Sequence, residues 1–139
     1  MSVFVDDVRH RFGRMIMCHM WADSQDELLL AAARIGINRR WLQMPPKASW
    51  VHFDISLSKK ELAIRNGAIL TDKYGPVEFL TKQRIAILEH SELSQTGDIK
   101  HRIKKLYEKL RQIELIRAHS KSTAKENEDL HMPAQRSFF

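Results

Sequence analysis

The sequence predicts an α/β fold in which capped helices pack on a small sheet, followed by a C-terminal amphipathic helix. Two S-x-x-E capping boxes, at Ser24 and Ser58, each begin a run of good helix formers. Short apolar stretches of strand length alternate with these helical runs, which favours a layered α/β arrangement. Beyond Gly97, apolar residues recur every three or four positions, which is typical of an amphipathic helix.

The first elements follow directly from these rules. Residues 2–5 and 15–21 are predicted strands, and the second carries apolar residues on both faces, which indicates an interior strand. A helix is predicted over about 25–35, because Ser24 caps its start and Gly36 offers the left-handed conformation that ends helices.

The later elements are shorter and depend on turn signals and on the second capping box. A second helix is expected to begin at Ser58 and to end near Gly67. The sequence further predicts strands over 39–43, 51–55 and 68–70, a proline-containing loop over 44–49, and a helix over 77–90.

The chain is expected to divide into three parts, and the first boundary lies at Thr96-Gly97. Residues 1–95 would form the compact α/β domain, 96–120 a coiled-coil-like helix, and 121–139 a polar flexible tail. The helix has a heptad seam that would pack either on the core or on its copy in a second subunit. The seam consists of Ile99, Ile103, Leu106, Leu110 and Ile113.

Composition excludes several classes of protein. The 139 residues have 43% hydrophobic and 29% charged content, as in globular proteins, and no apolar run has the roughly 18–20 residues of a membrane span. The single cysteine, Cys18, excludes an internal disulfide framework and a cysteine-rich zinc site. A cytoplasmic location is expected, because the N-terminus lacks the pattern of a signal peptide.

The net charge of +6 and the pI near 9.7 are compatible with an acidic partner, although a charge of this size also serves solubility. We expect no membrane partner. A phosphate-containing ligand or a nucleic acid is the expected partner class. Self-association through residues 98–117 is a further expectation.

Polar residues at predicted strand ends form the candidate site. His19 and His52 are separated in sequence, and Asp54 follows His52 with the spacing that puts both on one face of a strand. Such residues could bind a divalent metal, act as a metal-free acid–base pair, or have purely structural roles. Arg14, Arg40 and Lys60 would bind phosphate. The supporting residues would be Asp6, Asp7, Asp23 and Trp41.

Five stretches carry a resemblance to a known family, in the order VFVDD, GRMIMCHMWADSQDEL, ARIGINRRWLQ, HFDIS and KKELAIRNGA. Through them, residues 3–70 resemble a bacterial and phage family, domain of unknown function 4031. It implies a small stand-alone module. The family pattern includes the ten candidate residues named above. Typical members have Lys-Arg at 59–60 and Tyr at 53, where this chain has Lys-Lys and Phe. The family brings no established activity.

Three functional hypotheses follow. The first is a phosphoester hydrolase directed at nucleotides or nucleic acid, with His19, His52 and Asp54 as catalytic or metal-binding residues. The second is a module that binds a nucleotide or nucleic acid without catalysis, through the same pocket or the basic helix. The third is an oligomeric adaptor that acts through its C-terminal helix, in which case deletion of 98–139 would abolish self-association.

Overall fold

A computed structural model describes residues 2–131 and divides the chain into two compact units between Pro76 and Val77. Each unit is described by itself. The first contains five strands, two helices and a short 3-10 turn. In chain order these are β1 (Val3–Val5), β2 (His10–Phe12), β3 (Met15–Ala22), α1 (Gln25–Arg34), the turn Arg39–Trp41, β4 (Phe53–Ser56), α2 (Leu57–Arg65) and β5 (Ile69–Leu70).

Strand β3 is the centre of the sheet. Strands β1 and β2 pair antiparallel with different ends of it, and β4 pairs antiparallel with it as well. Met20 pairs with both Val5 and Phe53, so β1 and β4 occupy opposite edges of β3. Strand β5 pairs in parallel with β1 and extends the sheet on that side.

A bulge separates β1 from β2. Val5 pairs with Met20 and His10 pairs with Met17, so the four residues 6–9 lie opposite only two residues of β3. The side chain of Asp6 enters the gap and accepts a hydrogen bond from the backbone N–H of His19 at 2.9 Å. A bulge of this kind redirects side chains locally without ending the sheet.

The two faces of the sheet differ in chemistry. One face carries Val5, Cys18, Met20, Phe53 and Ile55, which are buried with apolar residues of α1 and α2 and form the core. Strand alternation places the neighbouring residues on the other face, which carries the histidines, aromatic side chains and Asp54. We call this the polar face. It is where the candidate site lies.

Local caps fix the two helices of this unit. Ser24 caps α1 as predicted, since its hydroxyl accepts from the backbone N–H of Glu27 at 3.3 Å. Helix α2 begins two residues earlier than predicted: Ser56, not Ser58, accepts from the backbone N–H of Lys59. Ser56 is the last residue of β4, so the strand leads directly into the helix.

The second unit is built on helices α3 (Gly75–Glu89) and α4 (Gly97–His131). They run antiparallel, because Glu78 pairs with Arg117 while Glu89 accepts from the hydroxyl of Tyr107. All five residues of the predicted heptad seam are at least half-buried, and Ile113 is fully buried. Among the described residues, no helix is long and apolar enough to cross a membrane.

The predicted fold class is confirmed: a small sheet with capped helices, followed by a long amphipathic helix. Local differences remain. Strand β2 was not predicted, and residues 39–41 form a 3-10 turn where a strand was expected. The two compact units divide after Pro76, with α3 grouped with α4, and the domain boundary expected at residue 95 stays a prediction. Residues 121–131 continue α4, and residues 132–139 of the predicted tail lie outside the described residues.

Candidate metal centre

Three neighbouring strands place a row of polar side chains on the polar face. His19 lies in the central strand β3 and pairs directly with Asp54 of β4. His10 of β2 pairs with Met17, two residues before His19, so it lies diagonally across from His19 on the same face. The rings of His10 and His19 have centroids 5.1 Å apart.

His52 joins this row from the segment just before β4. Its backbone pairs with Gln43 in both directions, at 2.9 and 3.0 Å, which closes the loop between them. Its ring stacks on Trp50 with a centroid distance of 4.3 Å and meets His19 edge-on at 5.3 Å. The side chain of His52 is only 7% exposed, so the loop and Trp50 hold it rigidly.

The three imidazoles converge on one oxygen atom. The Nε2 atoms of His10 and His19 both lie 3.7 Å from Oδ1 of Asp54, and the Nε2 atom of His52 lies 3.6 Å from it. These separations are too long for hydrogen bonds. The other oxygen, Oδ2, accepts a short hydrogen bond from the side-chain amide of Gln43, which leaves Oδ1 facing the histidines.

Hydrogen bonds on the far side of two rings determine which nitrogen carries the proton. Nδ1 of His19 lies 2.6 Å from Oδ2 of the fully buried Asp6, and Nδ1 of His52 lies 3.1 Å from the backbone oxygen of Trp50. Both partners are acceptors, so each Nδ1 is the donor. In the neutral rings each Nε2 therefore carries a lone pair directed at the cluster.

The two histidines differ in proton affinity. The hydrogen bond to Asp6 raises the pKa of His19 above its usual value, an effect that burial opposes and the charges of Asp6 and Asp54 reinforce. Burial lowers the pKa of His52, and the Trp50 carbonyl and Asp54 offset this only in part. His52 is thus available as a neutral ligand at lower pH than His19.

Several lone pairs facing one carboxylate oxygen repel one another unless a positive charge lies between them. His10, His19 and Asp54 each offer one ligand atom, and these three atoms lie within 4.8 Å of one another. Metal–ligand bonds of about 2.0–2.2 Å in a tetrahedral arrangement separate the ligand atoms by roughly 3.3–3.6 Å. The two distances from His10 and His19 to Asp54 in this group, 3.7 Å each, are close to that value; His52 lies outside the group.

The acidic residues predicted to support the site have different positions. Asp6 holds His19, as described. Asp7 is exposed and pairs at 3.0 Å with the buried ammonium of Lys60. Asp23 is exposed just after the end of β3 and accepts from the backbone N–H of Ser2 at 2.8 Å, which joins the end of β3 to the start of β1.

The remaining predicted residues lie on the surface of the first unit. Arg14 is exposed in the turn between β2 and β3. The guanidinium of Arg40 lies 4.9 Å above the ring of Trp41, which is 61% exposed. The structure thus brings His19, His52, Asp54 and Asp6 together, whereas the phosphate-binding roles of Arg14, Arg40 and Lys60 stay predictions.

Sequence reasoning missed three residues of this cluster: His10, Gln43 and Trp50. A usable signal existed for His10, since Gly13-Arg14 between two short runs indicates a hairpin that returns His10 toward β3. Gln43 and Trp50 carried no such signal, because their positions depend on the path of the loop between residues 43 and 52.

Two other features lie apart from the cluster. A surface cavity of about 240 Å³ lies between α1 and the end of α2, and Leu30, Arg34 and Asn66 are among its lining residues. Cys18 points into the core, where burial, and next the charge of Asp6, raise the pKa of its thiol to about 11. At neutral pH it is therefore a protonated core residue.

Comparisons with known proteins identify the family but no activity. No curated protein and no solved structure matches the chain significantly. Residues 3–83 match the model of a family described as a protein of unknown function, DUF4031. That match includes every residue of the histidine–aspartate cluster and the bulge that carries Asp6. The chain therefore belongs to the DUF4031 family.

Proposed function

We propose that this protein is a metal-dependent phosphoester hydrolase whose centre is formed by His10, His19 and Asp54, with His52 beside them as a fourth candidate ligand. The observation that carries the proposal is the convergence of three Nε2 atoms on one oxygen of Asp54, at 3.6–3.7 Å. Asp6 and the Trp50 carbonyl hold two of the rings from behind, in the manner of the outer partners that orient metal-bound histidines.

The donor set favours a transition-metal ion of the Zn²⁺ class. Imidazole nitrogen suits Zn²⁺, Fe²⁺, Co²⁺ and Ni²⁺, whereas Mg²⁺ prefers oxygen ligands. Octahedral Mg²⁺ would also bring neighbouring ligands to roughly 3.0 Å of one another, closer than the separations seen here. The side chains of His10 and Asp54 are 36% and 25% exposed, which leaves the solvent side open for water and substrate.

Such an ion would lower the pKa of a bound water and provide hydroxide near neutral pH. The hydroxide oxygen would form a bond to phosphorus as the bond from phosphorus to the leaving oxygen breaks, and that oxygen takes up a proton. The ion would also neutralise charge on the phosphoryl oxygens. Exposed Arg9 and Arg11, which flank His10 in the sequence, favour an anionic substrate.

The test is metal-dependent hydrolysis by the full chain. We would strip the protein with a chelator, add Zn²⁺, Mn²⁺, Co²⁺ or Mg²⁺, and follow hydrolysis of bis(4-nitrophenyl) phosphate. Calorimetry would measure metal affinity in the same samples. His19→Ala and Asp54→Asn should each lower activity at least about 100-fold, because the first removes a ligand and the second removes the negative charge of one. His101→Ala, which changes an exposed histidine of α4, is the matched control.

The outcomes separate the hypotheses. Tight binding of a transition ion with no hydrolysis of any phosphoester would favour the non-catalytic binding module. Activity that survives both His19→Ala and Asp54→Asn would remove the cluster from the reaction. Equal metal affinity in the wild type and these two variants would overturn the proposal at its first step.

A further inference from the structure

A hairpin next to the cluster carries a concentration of positive charge that indicates more about the substrate than its negative charge. Strands β2 and β3 enclose the turn at Gly13 and Arg14. We call residues 9–15 the basic hairpin. It contains three arginines, and the chain has no acidic residue between Asp7 and Asp23.

The charged groups of the basic hairpin are available to a ligand. Arg9, Arg11 and Arg14 are all exposed. Within residues 2–131, none of the three guanidinium groups forms an ion pair or a ring contact. Because β2 lies at an edge of the sheet, no other strand in the described part of the chain covers Arg11. Three guanidinium groups without an ion pair on one hairpin give it a local positive charge that is complementary to phosphate groups.

Two apolar side chains lie on the face of the hairpin that carries His10, whereas strand alternation places Arg11, which pairs with Ile16, on the opposite face. Phe12 is 74% exposed and Met15 is 51% exposed, and the two residues pair across the hairpin. Strand alternation puts both on the polar face, together with His10. Phe12 is two residues from His10 along β2, which corresponds to about 7 Å.

An exposed phenylalanine among arginines fits one class of polyanion better than others. Unpaired bases stack on aromatic side chains while arginines contact the backbone, which is how single strands are bound without sequence preference. In a duplex the faces of the bases are already stacked on one another. A membrane surface or an acidic peptide would use the charges but has no flat ring for Phe12.

We infer that the substrate is a single-stranded nucleic acid, bound along the basic hairpin with a base on Phe12 and a phosphodiester at the cluster. This inference rests on the proposed function for the site of cleavage. The hairpin itself supplies the reason for binding: charge from Arg9, Arg11 and Arg14, and a stacking surface from Phe12.

Binding can be measured without turnover. Fluorescence anisotropy of labelled 15-nucleotide single strands of DNA and RNA, and of a 15-base-pair duplex, would be followed with the full chain in EDTA. Salt would be varied from 50 to 300 mM. The test variants are the triple change Arg9→Ala, Arg11→Ala and Arg14→Ala, and the single change Phe12→Ala. The matched controls are triple Lys104→Ala, Lys105→Ala and Lys109→Ala, and Leu115→Ala, which change exposed residues of α4.

The expected sizes follow from counterion release and stacking. Loss of three phosphate contacts should reduce the salt slope for a single strand by about 2 and weaken binding about 100-fold at 100 mM salt. Phe12→Ala should weaken single-strand binding roughly 5- to 150-fold and leave duplex binding nearly unchanged. The two controls should change binding less than about threefold.

Contrary results are equally specific. If the lysine control weakens binding as much as the arginine triple, the charge effect is not local and the inference fails. Duplex binding as tight as single-strand binding, with no effect of Phe12→Ala, also overturns it, as does hairpin-dependent binding to anionic lipid vesicles but not to oligonucleotides. Wild-type hydrolysis of the small diester without oligonucleotide binding overturns the substrate while the proposed function stands. Hairpin-dependent binding of single strands without hydrolysis of the diester overturns the proposed function, while the binding role of the hairpin stands.

Discussion

The substitution Asp6→Asn tests how the cluster is held without removing any of its proposed ligands. The carboxylate of Asp6 is fully buried and accepts from two atoms of His19, the backbone N–H at 2.9 Å and Nδ1 at 2.6 Å. An asparagine of the same shape can still accept from the backbone with its oxygen. Its amide must then donate to Nδ1, which moves the ring proton to Nε2.

The size of the effect follows from this change of tautomer. With a proton on Nε2, His19 has no lone pair for a metal, and the ring must flip or lose a proton to bind one. Outer partners of metal-bound histidines typically contribute 10- to 100-fold in affinity. We therefore expect Asp6→Asn to weaken Zn²⁺ or Co²⁺ binding about 10- to 100-fold, or about 1.4–2.7 kcal/mol.

In the metal-free protein, we expect the stability difference between the wild type and Asp6→Asn to depend on pH. The pKa of His19 is raised in the folded state, chiefly by the hydrogen bond to Asp6. Its contribution is therefore fully present below the unfolded pKa of about 6.5 and is lost as the pH rises through the folded pKa. A hydrogen bond to a charged group contributes about 1.5–3 kcal/mol and a neutral one about 0.5–1.5 kcal/mol.

The wild type should therefore have a higher free energy of unfolding than Asp6→Asn, and this gap should be larger at pH 5.5 than at pH 9. Between the two pH values the gap should change by about 1 kcal/mol. Urea denaturation in EDTA measures this difference, and calorimetry measures metal affinity. Asp129→Asn, an exposed acid of α4, is the control. Metal affinity within threefold of the wild type, or a stability gap that grows with pH, would refute the assigned role of Asp6.

Two further predictions concern groups that support the site and the core. Gln43→Leu should weaken metal binding about tenfold, because Oδ2 of Asp54 loses its donor, whereas Gln83→Leu on α3 should leave the calorimetric affinity unchanged. Gly36→Ala should lower the free energy of unfolding by about 1–2 kcal/mol in urea, because φ is +78° there and the added Cβ would lie 3.2 Å from Nζ of Lys59. Gly97→Ala, where nothing lies within 4 Å of an added Cβ, is its control; an equal loss there would contradict the backbone argument.

The elements that were predictable are those whose signals are local. Helix α1 has its capping hydroxyl at Ser24 and its left-handed glycine at Gly36, both within the helix or next to it. Strand β2 has no such signal, since its three residues include Arg11 and are mostly exposed. It is a strand because β3 provides the hydrogen-bonding partner, and this long-range pairing outweighs local propensity.

The residues of the candidate site also differ in whether local sequence signals predict them. His52 and Asp54 are two residues apart, so alternation along one strand predicts that they share a face. His19 carried a weaker signal as a polar residue in an apolar strand. The inclusion of His10 depends on the register between β2 and β3, and that of Gln43 on its isolated pairing with His52. Register is a tertiary property that the spacing of residues in one strand does not determine.

The bulge at residues 6–9 explains why this register matters. If the pairing of Val5 with Met20 continued without interruption, His10 would lie opposite Met15; the two extra residues move it opposite Met17. That shift is about 7 Å toward His19, and because it is an even number of residues, His10 stays on the same face. The same bulge turns the carboxylate of Asp6 inward to hold His19. One irregularity between β1 and β2 thus brings in a third imidazole and fixes the tautomer of the central one, so the geometry of the centre depends on the bulge as much as on the ligands.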